Sequence, residues 1–124
     1  MLTLIRAKLE DTAKNEHDIY LDIWVNENQI AVARMPTYGF RGDGYDDEGV
    51  PRPTVSPFIL QRDGTMDFGD LEDDPYEHED DRVSWCNVFD GQHKIARGEY
   101  VSVSEEGEDA TYRFVSCVEI AISR

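Results

Sequence analysis

"HDIYLDIWV", residues 17–25, alternates with a period of two: Ile19, Leu21, Ile23 and Val25 share one face, Asp18, Tyr20, Asp22 and Trp24 the other. Successive side chains of a strand point to opposite faces, so this pattern predicts a half-buried β-strand. The turn residues "NEN" (26–28) follow, and "QIAVARM" (29–35) reads as the returning strand of a hairpin. Upstream, "LTLIRAKL" (2–9) predicts a first strand, joined through the polar "EDTAKNEHD" (10–18).

The C-terminal third follows the same logic. "RVSWCNVF" (82–89) predicts a strand ending at an Asp90-Gly91 turn. "IARGEYVSV" (95–103) and "TYRFVSCVEIAI" (111–122) flank the polar loop "SEEGEDA" (104–110) and predict a longer hairpin. In the last strand Tyr112, Phe114, Ser116, Val118, Ile120 and Ile122 fall on one face, which is expected to supply much of the core.

The middle differs. Residues 37–57, "TYGFRGDGYDDEGVPRPTVSP", hold four glycines and three prolines and read as an irregular excursion. "PFILQRDGTMDF" (57–68) predicts a small hairpin around Asp63-Gly64. In the acidic stretch beyond it, Asp74-Pro75 with Glu77 has the form of a capped single helical turn. The expected fold is therefore mostly β: a single-domain antiparallel sandwich or small barrel over residues 1–124, with a long irregular acidic insertion at about 37–82.

A chain of 124 residues, 40% hydrophobic, with two Trp, six Tyr and five Phe, can build one core without staples. Its formal charge is 12 − 27 = −15. An excess of that sign repels nucleic acid and anionic membranes and attracts basic proteins. Two-thirds of it is concentrated in one segment, since residues 40–82 carry fourteen carboxylates and four arginines, a net of −10. Within residues 67–82, "DFGDLEDDPYEHEDDR", nine of sixteen positions are carboxylates.

Enzyme signatures are weak throughout. "DGYDDEG" and "DGTMDFGD" miss the ligand spacing of a calcium loop. "GFRGDG" does not lead from a hydrophobic strand into a helix, so it is no phosphate cradle. His17, His78 and His93 sit in polar segments without a nucleophile signature. Cys86 and Cys117 lie in apolar runs without metal-ligand spacing and are expected to be inert core thiols of a cytoplasmic protein. The start "MLTLIRAKLED", charged by its sixth residue, resembles neither a signal core nor a membrane span. No cofactor, metal or catalytic residue is expected.

Two readings of the acidic run compete. One is a solvated loop that keeps strand edges from pairing. The other is a recognition surface, because the acids are interleaved with Phe68, Leu71 and Tyr76. Tyr20 and Trp24 also stand on the acid-bearing face of their strand. Aromatic anchors supply much of an interface's energy, and complementary charge sets association rate and selectivity. The expected partner-binding set is Asp67, Asp70, Glu72, Asp73, Asp74, Tyr76, Glu77, Glu79, Asp80 and Asp81, with Tyr20 and Trp24. The expected function is that of a small acidic inhibitor, an immunity protein or DNA mimic, whose carboxylates occlude the cationic surface of a basic toxin, nuclease or defence complex. The alternatives are a structural or assembly component of a phage or secretion system, and a small barrel enzyme using Asp18 and Asp22.

Overall fold

A computed structural model describes residues 1–13, 17–69 and 83–124 of the chain. These residues form eight strands and no helix, and hence no helix long and apolar enough to cross a membrane. The strands are β1 (Thr3–Asp11), β2 (Ile19–Val25), β3 (Thr37–Gly42), β4 (Val55–Leu60), β5 (Met66–Asp67), β6 (Val83–Trp85), β7 (Tyr100–Glu105) and β8 (Glu108–Ile122). Every neighbouring pair is antiparallel, in the order β5-β4-β3-β2-β1-β8-β7-β6. The two ends meet through a bridge between Thr65 and Ser84 and a 2.7 Å bond from the Trp85 N–H to the Gly64 carbonyl. The sheet thus curls into a small, nearly closed barrel, which leaves few exposed edges.

The alternation in residues 19–25 is realised residue for residue. Ile19, Leu21, Ile23 and Val25 are buried, while Tyr20, Asp22 and Trp24 are half-buried on the outside. The inward residues of β1, Ile5, Ala7 and Leu9, pack beside them with Phe58, Leu60, Trp85, Val101, Val103 and Phe114. Residues Val88 and Ile95, from the 86–99 connection, are buried in the same core.

The partners of β2 differ from the hairpin expected. "QIAVARM" contributes only isolated bridges, Ala31 to Val25 and Ile30 to Lys94, and both edges of β2 belong to β1 and β3. Asn26 turns the chain away: its side-chain oxygen accepts the N–H groups of Asn28 and Ile30. The excursion is also less irregular than its glycines suggest, since β3 occupies its first six residues and β4 begins at Val55. The hairpin around Asp63-Gly64 joins β4 to β5 as expected.

Other boundaries shift for local reasons. β6 stops at Trp85, and Asn87 takes a left-handed backbone (φ 63°), a conformation asparagine tolerates better than most residues. β7 begins only at Tyr100. The loop expected at 104–110 shrinks to Glu106 and Gly107, both at positive φ, a two-residue hairpin turn closed by the Glu105–Glu108 pair.

The largest correction concerns β8. Tyr112 and Phe114 are buried, but Val118, Ile120 and Ile122 are 54%, 39% and 61% exposed. The register against β1 slips twice: Lys8 pairs with Ser116 but Leu9 with Phe114, and Ile5 pairs with Glu119 but Leu4 with Ala121. Each bulge inserts one residue and exchanges inward for outward positions. Val118 therefore stands opposite the outward Arg6 instead of continuing the core face.

Candidate partner-binding face

The outward side chains of the barrel align in rows across the strands. One row reads Val118 on β8, Arg6 on β1, Asp22 on β2, Tyr38 on β3, Ile59 on β4 and Asp67 on β5. The next reads Ser116, Lys8, Tyr20, Phe40 and Pro57. Tyr20 and Phe40 stack with ring centroids 4.7 Å apart and planes 20° from parallel. Lys8 Nζ lies 5.7 Å from the Tyr20 ring centroid and 3.5 Å from Glu10. Desolvation works against the Lys8 ammonium, but the nearby Tyr20, Asp18 and Glu10 outweigh it and raise its pKa.

Between the rows runs a slot of about 430 Å³. Tyr20 and Phe40 form one wall; Arg6, Asp22 and Tyr38 form the other, with Leu21 and Gly39 beneath. Arg6 donates Nε and Nη2 to the two carboxylate oxygens of Asp22, both at 3.0 Å, and this paired contact raises the guanidinium pKa. Such a fork fixes both side chains in plane. Tyr38 and Phe40 remain 54% and 40% exposed, so the slot presents aromatic surface to solvent.

An acidic rim adjoins the slot. The β3–β4 connection carries Asp43, Asp46, Asp47 and Glu48. The Asp46 side chain accepts the N–H groups of Glu48 and Val50, which closes this loop on itself. Tyr45 then ties it to the residue before β2, donating its hydroxyl to Asp18 at 2.8 Å. Donation to a carboxylate, with some desolvation and the charges of Asp18 and Glu10, pushes the Tyr45 phenol up to about 12. The loop that carries these four carboxylates is thus anchored at Asp18, two residues from Tyr20.

The structure brings together only part of the expected set. Tyr20 and Asp67 stand on this outer face, in adjacent rows, and Trp24 lies half-buried on the same side of β2. Asp67 is exposed and accepts the Gly69 N–H at 2.8 Å. Asp70, Glu72, Asp73, Asp74, Tyr76, Glu77, Glu79, Asp80 and Asp81 lie outside the described residues, as do Leu71 and the turn at Asp74-Pro75. Phe68 is no outward anchor. It packs inward against Phe58, ring centroids 5.8 Å apart, under the Arg41 guanidinium, which also holds Glu105 at 3.1 Å. Asp18 accepts the Tyr45 hydroxyl, and Asp22, which lines the slot, is engaged by Arg6.

Both thiols are free; Cys86 is exposed, contrary to expectation, and Cys117 is half-buried against the core, where partial burial raises its pKa. Among the described residues no group of three or more His, Cys, Asp or Glu side chains could hold a metal ion. Sequence reasoning missed Arg6, Tyr38, Phe40 and Tyr45. The alternation Thr37, Gly39, Arg41 against Tyr38, Phe40 was the available signal, masked by the surrounding glycines. Comparison with protein-family models, curated proteins and solved structures finds no match for this chain.

Proposed function

We propose that this protein is a small acidic binding protein that neutralises a basic partner by covering its cationic surface, in the manner of an immunity protein or a nucleic-acid mimic. The observation that carries this reading is the exposed, aromatic-walled slot set beside a tethered rim of carboxylates on a chain of net charge −15. The two features divide the labour. Carboxylates of the rim and of residues 67–81 take positions that phosphates would occupy on the partner, and steer its approach. Tyr38 and Phe40, with Tyr20 behind them, supply apolar area that persists when salt screens the charges. The mechanism is occlusion without turnover. Two free thiols suit a reducing compartment, and the cytoplasm is the expected site of action.

The test is capture from a lysate by the immobilised protein at low salt and at 0.5 M, where the Debye length is ~4 Å. Two variants run beside it. One neutralises Asp73, Asp74, Glu77, Glu79, Asp80 and Asp81; the other is Tyr38→Ala with Phe40→Ala. A basic protein retained by the wild type, lost by both variants, and prevented by the wild type from binding its nucleic acid or substrate is the expected outcome. Equal retention by all three baits refutes the proposal.

A further inference from the structure

One ion pair reaches across the barrel. Arg41 donates Nη1 to Glu105 Oε2 at 3.1 Å, with the arginine side chain only 18% exposed. In the strand order, with its ends joined by the Thr65–Ser84 bridge, β3 and β7 lie four strands apart in either direction. The other ion pairs among described strand residues stay within β1 or join β1 to β2. Arg41 is the register partner of the buried Ile19, and Glu105 shares the face of Val101 and Val103, so both side chains start from the inward face. The same guanidinium lies 4.9 Å over the Phe68 ring, which packs edge-on against Phe58. These contacts fall on both flanks of residues 70–82. Phe68 stands just before that segment, and Val83, the first residue after it, is the register partner of Glu105. Arg41 itself follows Phe40, so the strand that presents the slot is also the strand that reaches both flanks.

We propose that Arg41 is a positioning residue: one guanidinium holds the two points where the acidic segment leaves and re-enters the barrel, and fixes them relative to the slot. The purpose rests on the proposed function, since a recognition surface needs its carboxylates and its aromatic rings in one arrangement. Charge alone gives no reason for the residue. On a chain of net charge −15 that attracts cations, an inward arginine subtracts from the field. Stability alone does not call for it either, since apolar side chains of similar volume often serve as well as a partly buried ion pair. What such a pair supplies is one geometry. A planar guanidinium can pair with a carboxylate at its edge while its face covers a ring, which a lysine ammonium cannot reproduce.

Amide hydrogen exchange reads this role without any partner. The Trp85 and Cys86 N–H groups donate to the Gly64 and Ser102 carbonyls at 2.7 and 2.9 Å and tie the β6 end of the segment to the barrel. Arg41→Gln is expected to speed their exchange by roughly tenfold or more relative to the Ala7 amide of β1, a strand paired on both edges. Arg41→Glu combined with Glu105→Arg restores the pair and is expected to recover most of that protection. Unchanged exchange overturns the proposal, and so does a rise that Ala7 shares equally. Retention of a basic protein on the immobilised chain gives a second reading. Arg41→Gln makes the chain more negative, so simple attraction predicts stronger retention, whereas displaced flanks predict weaker. Weaker retention is the expected result, and stronger retention overturns the proposal. A wild type that retains nothing counts against the proposed function, while the exchange ratio still decides the role of Arg41.

Discussion

Replacing Gly39 by alanine sets two physical effects against each other. Glycine in a strand interior costs backbone entropy, so alanine there ordinarily stabilises by about 0.5–1 kcal/mol. In this fold Gly39 faces inward opposite Leu21, and an added Cβ would sit 2.2 Å from the Tyr20 carbonyl oxygen, 2.7 Å from Phe58 Cζ and 3.0 Å from Leu21 Cβ. The nearest atom is backbone and cannot swing aside, so relief requires β2 and β3 to separate at the Leu21–Gly39 pair. Overpacking typically costs ~1–3 kcal/mol, and each ladder bond weakened adds ~1 kcal/mol. The net loss is about 3 kcal/mol after the entropy gain. For a chain of this size it corresponds to a fall of roughly 10–15 °C in Tm. Gly49→Ala is the control: no atom lies within 4 Å of its added Cβ, but φ is +78°, so only the left-handed backbone penalty of about 1–2 kcal/mol applies. Thermal melts followed by circular dichroism should rank the losses Gly39→Ala above Gly49→Ala. A Gly39→Ala protein that melts at or above the wild type refutes the packing argument, and the reverse ranking leaves backbone strain as the dominant effect.

Alkaline titration of tyrosine absorbance should show the Tyr45 phenol ionising near 12. Because the folded value of Tyr45 lies above its ordinary 10, the stabilisation from its bond to Asp18 is complete below about pH 10 and lost as pH rises towards 12. Asp18→Asn should return that phenol towards 10, and a tyrosine titration that this substitution leaves unchanged contradicts the tether. Ellman's reagent should modify the exposed Cys86 quickly and Cys117 slowly, since burial holds the second thiol above its usual range. Cys86→Ser should leave only the slow phase; two equally fast thiols contradict the assignment.

The readability of this chain followed the locality of the forces involved. Residues 17–25 were legible because one strand's alternation reports which side faces a core, whatever its neighbours are. The Asp63-Gly64 hairpin was legible because its turn chemistry is local. β3 was not, since Gly39 stands where the core face needs an apolar residue; it is glycine because Phe58 and the Tyr20 backbone occupy that space. The slot followed β3 into obscurity, because Tyr38 and Phe40 belong to a strand hidden among glycines.

Composition and alternation settled the class of fold and the sign of the surface charge, since burial of every second residue and the count of carboxylates are properties of the chain alone. Which strands became neighbours, which bulge exchanged the faces of β8, and which aromatic rings met across β2 and β3 were decided by closure of the barrel. Pairing partners are chosen by how well whole sheet faces pack together, and that quantity exists only once the strands are assembled.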